Sequence, residues 1–266
     1  MEVAPCQVPG DGRTLDAHLA LPARGRGPAV IVIHEIFGPD AHIQDVAKRF
    51  AQAGYVALAP DLFTGEIQHL LTPQAVMAGF GFLRSLPPEV QRDPAQIQAK
   101  IAERPAEEQK LLAGLMKIQD PMQHRAFARD LAAVARHLRE QSYVEGGRVG
   151  SVGFCFGGGI SGLLACTDPD LRAAVIFYGN TPPKDLLPKA RCPILGLYGG
   201  EDHRITDTVP AFVEDAKSAG VPLTHHIYPG AQHAFFNDSR PQVYNAAAAA
   251  DAWERVQTFF HQTLAP

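Results

Sequence analysis

The chain has 266 residues, 46% of them hydrophobic, with 20% charged and a formal net charge of -4. That is enough apolar material for a full core, and the balance excludes a disordered chain or a basic nucleic-acid binder. No apolar run approaches the about 20 residues of a bilayer-spanning helix, so no membrane partner is expected.

In chain order, TLDAHLAL from Thr14 to Leu21 alternates polar and apolar residues and predicts an amphipathic edge strand. PAVIVIH from Pro28 to His34 is continuously apolar, as in a strand covered on both faces. Residues 40–54 read as a helix, with Ile43, Val46, Ala47 and Phe50 on one face and Gly54 as its stop. YVALA from Tyr55 to Ala59 predicts a second buried strand. Residues 64–120, rich in Gln, Glu, Ala and Pro, predict two or more helices with breaks near Pro87-Pro88 and Pro94. A helix over 121–140 follows, striped by Phe127, Leu131, Val134 and Leu138. Strands are expected at 147–152, 173–178, 193–198 and 222–228, and helices at 155–165, 209–219 and 242–262. This alternation predicts an α/β class fold: a mostly parallel central sheet flanked by helices, in one domain over 1–266. Ligands of such sheets bind beyond the carboxyl ends of the strands, so the loops there are the places to search.

One of those loops carries GFCFG, Gly153 to Gly157, between a predicted strand and a predicted helix. Three readings compete: a phosphate-binding loop, a buried structural cysteine, or a nucleophile on a tight turn. The dinucleotide fingerprint G-x-G-x-x-G and the GK[ST] of a P-loop are both missing. The pattern instead matches the nucleophile elbow G-x-S-x-G with sulfur in place of oxygen. A thiol nucleophile needs a base, and the base needs an orienting acid. Downstream, YGGED ends in Asp202 and YPGAQH ends in His233, each just past a predicted strand. Cys155, Asp202 and His233 are therefore the candidate triad. Glu201 is the rival acid, and His203, His225 and His226 are rival histidines. Cys6, Cys166 and Cys192 show no CxxC pairing, and the His and Cys residues lack zinc-ligand spacing. The N-terminal residues show no signal peptide, so a cytoplasmic location with free thiols is expected.

The combination of HEIFG (His34 to Gly38), GYVALAPDLF (Gly54 to Phe63), VGSVGFCFGG (Val149 to Gly158), YGGEDH (Tyr198 to His203) and YPGAQHAFF (Tyr228 to Phe236) resembles the dienelactone hydrolases, or carboxymethylenebutenolidases, of the α/β-hydrolase fold. The resemblance implies a hydrolase that cleaves a carboxylic ester or lactone through Cys155, Asp202 and His233, by way of an acyl-enzyme. It implies a nucleophile-controlling role for Glu35 and oxyanion donors at the backbone N–H groups of Ile36 and Phe156. No cofactor is implied. The expected partner is a small-molecule ester or lactone, with the protein a monomer or homodimer. Phe37, Phe63, Tyr178 and Phe235 are expected to line the substrate pocket. The family's arginine four residues after its histidine, which helps hold the substrate carboxylate, is replaced here by Asn237, so Asn237 is placed among the substrate-contacting residues and the anionic dienelactone of the classical enzyme is not the expected substrate. Residues 64–120 exceed the equivalent family segment and suit a helical cap over the site mouth; Arg84, Arg92, Arg104 and Lys110 are read there first as solvated surface residues and second as candidate cations for the site. Two alternatives stay open: a non-catalytic or redox-sensing relative that uses Cys155 as an oxidisable thiol, and a thioesterase or peptidase on the same fold.

Overall fold

An eight-stranded sheet organises the chain, in the order β1-β2-β4-β3-β5-β6-β7-β8. The structure, a computed structural model, describes residues 2–65 and 67–264; Glu66 in the expected insertion and the ends of the expected domain lie outside them. The strands are β1 (Val3–Pro9), β2 (Thr14–Ala20), β3 (Gly27–Ile33), β4 (Val56–Pro60), β5 (Val144–Phe154), β6 (Ala173–Phe177), β7 (Ile194–Gly199) and β8 (Leu223–Tyr228). From β4 to β8 every neighbouring pair is parallel, whereas β1 and β2 are antiparallel additions at one edge. The expected mostly parallel α/β architecture is therefore present.

Both faces of the sheet are covered, which is why its central strands read as unbroken apolar runs. Alternate β3 residues point to opposite faces. Ile31 and Ile33 join one core cluster, with Leu131 and Val134 of α6 (Pro121–Arg139) and Ile160 and Leu164 of α7 (Phe156–Ala165). Val30 and Val32 join the other, with Ile43, Val46 and Phe50 of α1 (Ala41–Gln52) and Val256 and Phe260 of α10 (Ala246–Leu264). The stripe that predicted α1 is wholly buried, and Asp40 caps the helix by accepting from the Ile43 N–H at 3.1 Å.

Three elements depart from the sequence expectation. Strand β1 was not foreseen: it is an edge strand with mostly exposed side chains, so no core-facing pattern marks it. Helix α10 begins at Ala246 rather than Gln242, because residues 241–243 form a turn and 244–245 are irregular. Strand β5 starts three residues early, and Gly146 and Gly147 within it take positive φ. Within residues 64–120 are α2 (Pro73–Ser85), α3 (Pro88–Gln91), α4 (Pro94–Ala102) and α5 (Ala106–Gln119). The prolines expected to break helices instead start them: Pro88 and Pro94 sit in the first turns of α3 and α4, where a missing N–H costs nothing. The remaining helices are α8 (His203–Thr206) and α9 (Val209–Ala219).

Candidate active site

Five loops at the carboxyl ends of β3, β5, β6, β7 and β8 bring together Glu35, Cys155, Tyr178, Asp202 and His233. Cys155 occupies the turn from β5 into α7 with φ 54° and ψ -114°, outside the regions open to most side chains. The turn closes because its flanking residues are glycines. A Cβ on Gly153 would lie 1.9 Å from the Gly157 carbonyl oxygen, and one on Gly157 would lie 2.4 Å from the Ile33 carbonyl oxygen. Tyr178 (φ 38°) and Ala234 (φ 63°), beside His233, complete the set of positive-φ non-glycine residues among the described residues. All three lie at this site, and each costs on the order of 1–3 kcal/mol of backbone strain.

The His233 ring connects the other groups. Its Nδ1 lies 2.5 Å from Asp202 Oδ2. The ring also faces Cys155. Burial alone would lower the His233 pKa, but hydrogen bonds to Asp202 and Cys155, together with their charges, outweigh burial and raise it to about 10. The neighbouring Glu201 is exposed, and the hydrogen bond to the His233 ring is made by Asp202. Of the rival histidines, His203 faces Asp207 at 3.4 Å, and His226 packs its ring against Tyr228 at 4.5 Å.

Glu35 is 3% exposed and sits behind this group. It accepts hydrogen bonds from the Tyr178 hydroxyl at 3.2 Å and from Asn237 Nδ2 at 3.3 Å. Burial pushes its pKa up, against the opposing charges of His42, His233 and Arg240. The preceding residue, His34, is fully buried; its Nδ1 meets the Glu35 carbonyl at 2.6 Å and its Nε2 meets the Leu62 N–H at 3.1 Å.

A cavity of about 920 Å³ opens onto Cys155 and His233. Ile36, Phe156 and Tyr178 lie in its wall beside Cys155. Helices α2, α4 and α5 add apolar side chains including Phe80, Leu83, Ile97 and Met116. The wall carries three arginines, Arg84, Arg125 and Arg204, and no Asp or Glu is among its residues.

Several expected pocket residues lie elsewhere. Phe235 is wholly buried in the core beneath the site. Phe63 packs edge-on to the His34 ring at 4.7 Å, and Phe37 packs against the core. Neither phenylalanine reaches the cavity wall, and nor does Asn237. Asn237 is 1% exposed, and its Oδ1 accepts from Ser239 while its Nδ2 holds Glu35, so its work is internal. Of the cations considered in residues 64–120, Arg84 lines the cavity, while Arg104 and Lys110 pair with Glu108 and Glu107. The sequence reasoning missed His34, Arg125 and Arg204. The last two carried no signal beyond being loop or helix-start arginines.

The model of the Dienelactone hydrolase family matches residues 15–264. The chain belongs to that family. It is 37% identical over 253 residues to a "Putative carboxymethylenebutenolidase" of Saccharolobus solfataricus, covering 95% of each sequence. It is 33% identical over 272 residues to a protein of the same description from Escherichia coli K12, covering 96% of this chain and 85% of that one. Among solved structures, a "Putative Dienelactone Hydrolase" from Klebsiella pneumoniae subsp. pneumoniae superposes with a TM-score of 0.71 at 29% identity, covering 98% of this chain and 100% of that one. The dienelactone hydrolase family member thus has the α/β-hydrolase fold and is a hydrolase of the carboxymethylenebutenolidase type. Among the described residues, no helix is long and apolar enough to cross a membrane.

Proposed function

We propose that this family member cleaves carboxylic esters or lactones with Cys155 as nucleophile, His233 as acid–base and Asp202 as the group that orients His233. One observation carries the reading: a single imidazole is held by Asp202 at 2.5 Å and faces the thiol of a residue at φ 54°, at the mouth of a cavity. In the acylation step the Cys155 sulfur, its proton resting on His233, attacks the substrate carbonyl carbon. The carbonyl π-electrons move to oxygen, where the N–H groups of Ile36 and Phe156 receive the charge. As the tetrahedral species collapses, the carbon–oxygen bond breaks and His233 protonates the departing oxygen. In a lactone that oxygen stays attached to the acyl group. Water then attacks the thioester while His233 takes its proton, and the sulfur leaves with the electron pair. Three arginines and no carboxylates in the wall, with apolar side chains between them, favour substrates that join an apolar body to an anionic group.

The test is a burst of p-nitrophenol from p-nitrophenyl acetate, with mass spectrometry locating the acyl group. The proposal requires one acetyl group per chain on Cys155 and none on Cys155→Ala. Full turnover by Cys155→Ala overturns it. Labelling with iodoacetamide is expected to favour Cys155, because burial raises the thiol pKa of Cys166 to about 11 and that of Cys192 to about 12.

A further inference from the structure

We propose that His34 is a positioning residue that sets the direction of the Ile36 N–H and so builds half of the oxyanion site. The inference rests on the hydrolase reading above and concerns a side chain to which that reading gives no task. It begins with the tautomer. The Leu62 backbone N–H can only donate, so His34 Nε2, 3.1 Å away, must present a lone pair. The neutral ring then carries its proton on Nδ1 and donates it to the Glu35 carbonyl at 2.6 Å. Burial lowers the His34 pKa, against the pull of Asp61, which keeps the ring in this neutral form.

The Glu35 carbonyl and the Ile36 N–H belong to one peptide group. No cis peptide occurs among the described residues, so in this planar unit the two bonds point in opposite directions. Fixing the carbonyl on His34 therefore fixes the N–H on the other side, where Ile36 joins Cys155 and Phe156 in the cavity wall. The ring itself is held. Phe63 packs edge-on at 4.7 Å, and Phe156, whose own N–H is the second proposed donor, stacks at 6.0 Å. On the β3 side, the carbonyl oxygens of Ile33 and His34 lie where a Cβ on Gly157 would stand, which ties the end of β3 to the start of α7. One imidazole thus links the two peptides that must converge on one oxygen, and it also reaches the loop after β4 through Leu62.

The test separates reactions that create an oxyanion from one that does not. Acylation of Cys155 by p-nitrophenyl acetate needs the hole; alkylation by iodoacetamide displaces iodide at a saturated carbon and does not. His34→Ala is expected to slow the acylation burst by about 10²-fold, in line with the loss of one oxyanion donor. The alkylation rate of Cys155 is expected to stay within about twofold, since it reports the thiol and not the hole. His34→Gln, whose amide offers a donor and an acceptor on one plane, is expected to recover at least about tenfold of the lost acylation rate. If His34→Ala does not fold, His34→Leu is measured in its place. Acylation within about threefold of wild type in the Ala or Leu variant overturns the proposal. So does an equal fall in acylation and alkylation, or a Gln variant no better than Ala. A wild-type protein that shows no burst and no acetyl group on Cys155 is a separate failure: it removes the hydrolase reading first, and the positioning role falls with it.

Discussion

Asp202 Oδ2 lies 2.5 Å from His233 Nδ1, while Glu201, one residue earlier, points into solvent. The difference comes from the turn after β7. The Glu201 backbone N–H donates to the Ala231 carbonyl, which ties the turn to the loop that carries His233, while the Asp202 N–H donates to the Gly199 carbonyl within the turn and leaves the Asp202 side chain facing His233. Asp202→Asn should therefore lower kcat/KM for an activated ester by about 10²-fold or more, because the amide no longer favours the required tautomer and charge on His233. Glu201→Gln should leave it within about twofold. Steady-state kinetics on the two variants decide it, and equal losses would count against Asp202 as the orienting acid.

The charge on His233 should be visible in a titration. Its pKa is raised to about 10 although burial alone would lower it, the hydrogen bonds and charges of Asp202 and Cys155 outweighing the burial. Cys155→Ala and Asp202→Asn each remove one contribution, so each should move the His233 midpoint downward in an NMR titration of the imidazole nitrogens. The sign for stability follows. The folded-state value lies above the unfolded one of about 6.5, so the His233 contribution is fully present below pH 6.5 and is lost as pH rises toward about 10. Urea midpoints measured across pH 6.5 to 10 should fall less steeply in Cys155→Ala than in wild type.

How much of this was legible beforehand depends on what each residue contacts. The turn at Cys155 and the loop positions of Asp202 and His233 were readable because each follows a local pattern: glycines around Cys155, and a strand followed by a loop acid or histidine. Strand β1 was hidden, because an exposed edge strand carries no core-facing alternation. The phenylalanines misled for the opposite reason. Phe235 and Phe63 lie in loops that follow strands, as pocket residues do, but a ring there can turn into the core as easily as into a cavity. His34 lay inside a quoted motif without drawing attention. Its significance rests on hydrogen bonds to Glu35 and to Leu62, and the latter is 28 residues away in sequence. No local pattern encodes such a pair.

Asn237 illustrates the same limit and yields a prediction. Reading it as the stand-in for the family arginine suggested a substrate contact, yet it is buried and divides its amide between Glu35 and Ser239. Asn237→Ala strips a donor from a buried carboxyl group and an acceptor from Ser239. The expected cost is about 1–3 kcal/mol in urea unfolding, while KM for a carboxylate-bearing ester stays within about threefold. A large rise in KM with unchanged stability would restore the substrate-contact role.

The cavity wall carries the cations that the Asn237 position lacks. Arg84 comes from α2 and Arg204 from α8, so two separate elements each bring a guanidinium group to the wall. Among the described residues neither forms an ion pair with a carboxylate, whereas Arg125, also in the wall, lies 3.9 Å from Asp185. An unpaired guanidinium facing an apolar cavity binds a carboxylate better than one already engaged. Arg84→Gln and Arg204→Gln should each raise KM for an ester bearing a free carboxylate by about fivefold to tenfold, corresponding to roughly 1 kcal/mol per partly exposed charge contact. The neutral methyl ester of the same acid should show no such rise, and kcat should change little for either substrate, because the arginines act on the body of the substrate and not on the developing oxyanion. Parallel KM measurements on the charged and neutral esters separate a charge effect from a change in cavity shape. An equal rise for both esters would assign the two arginines to shaping the wall.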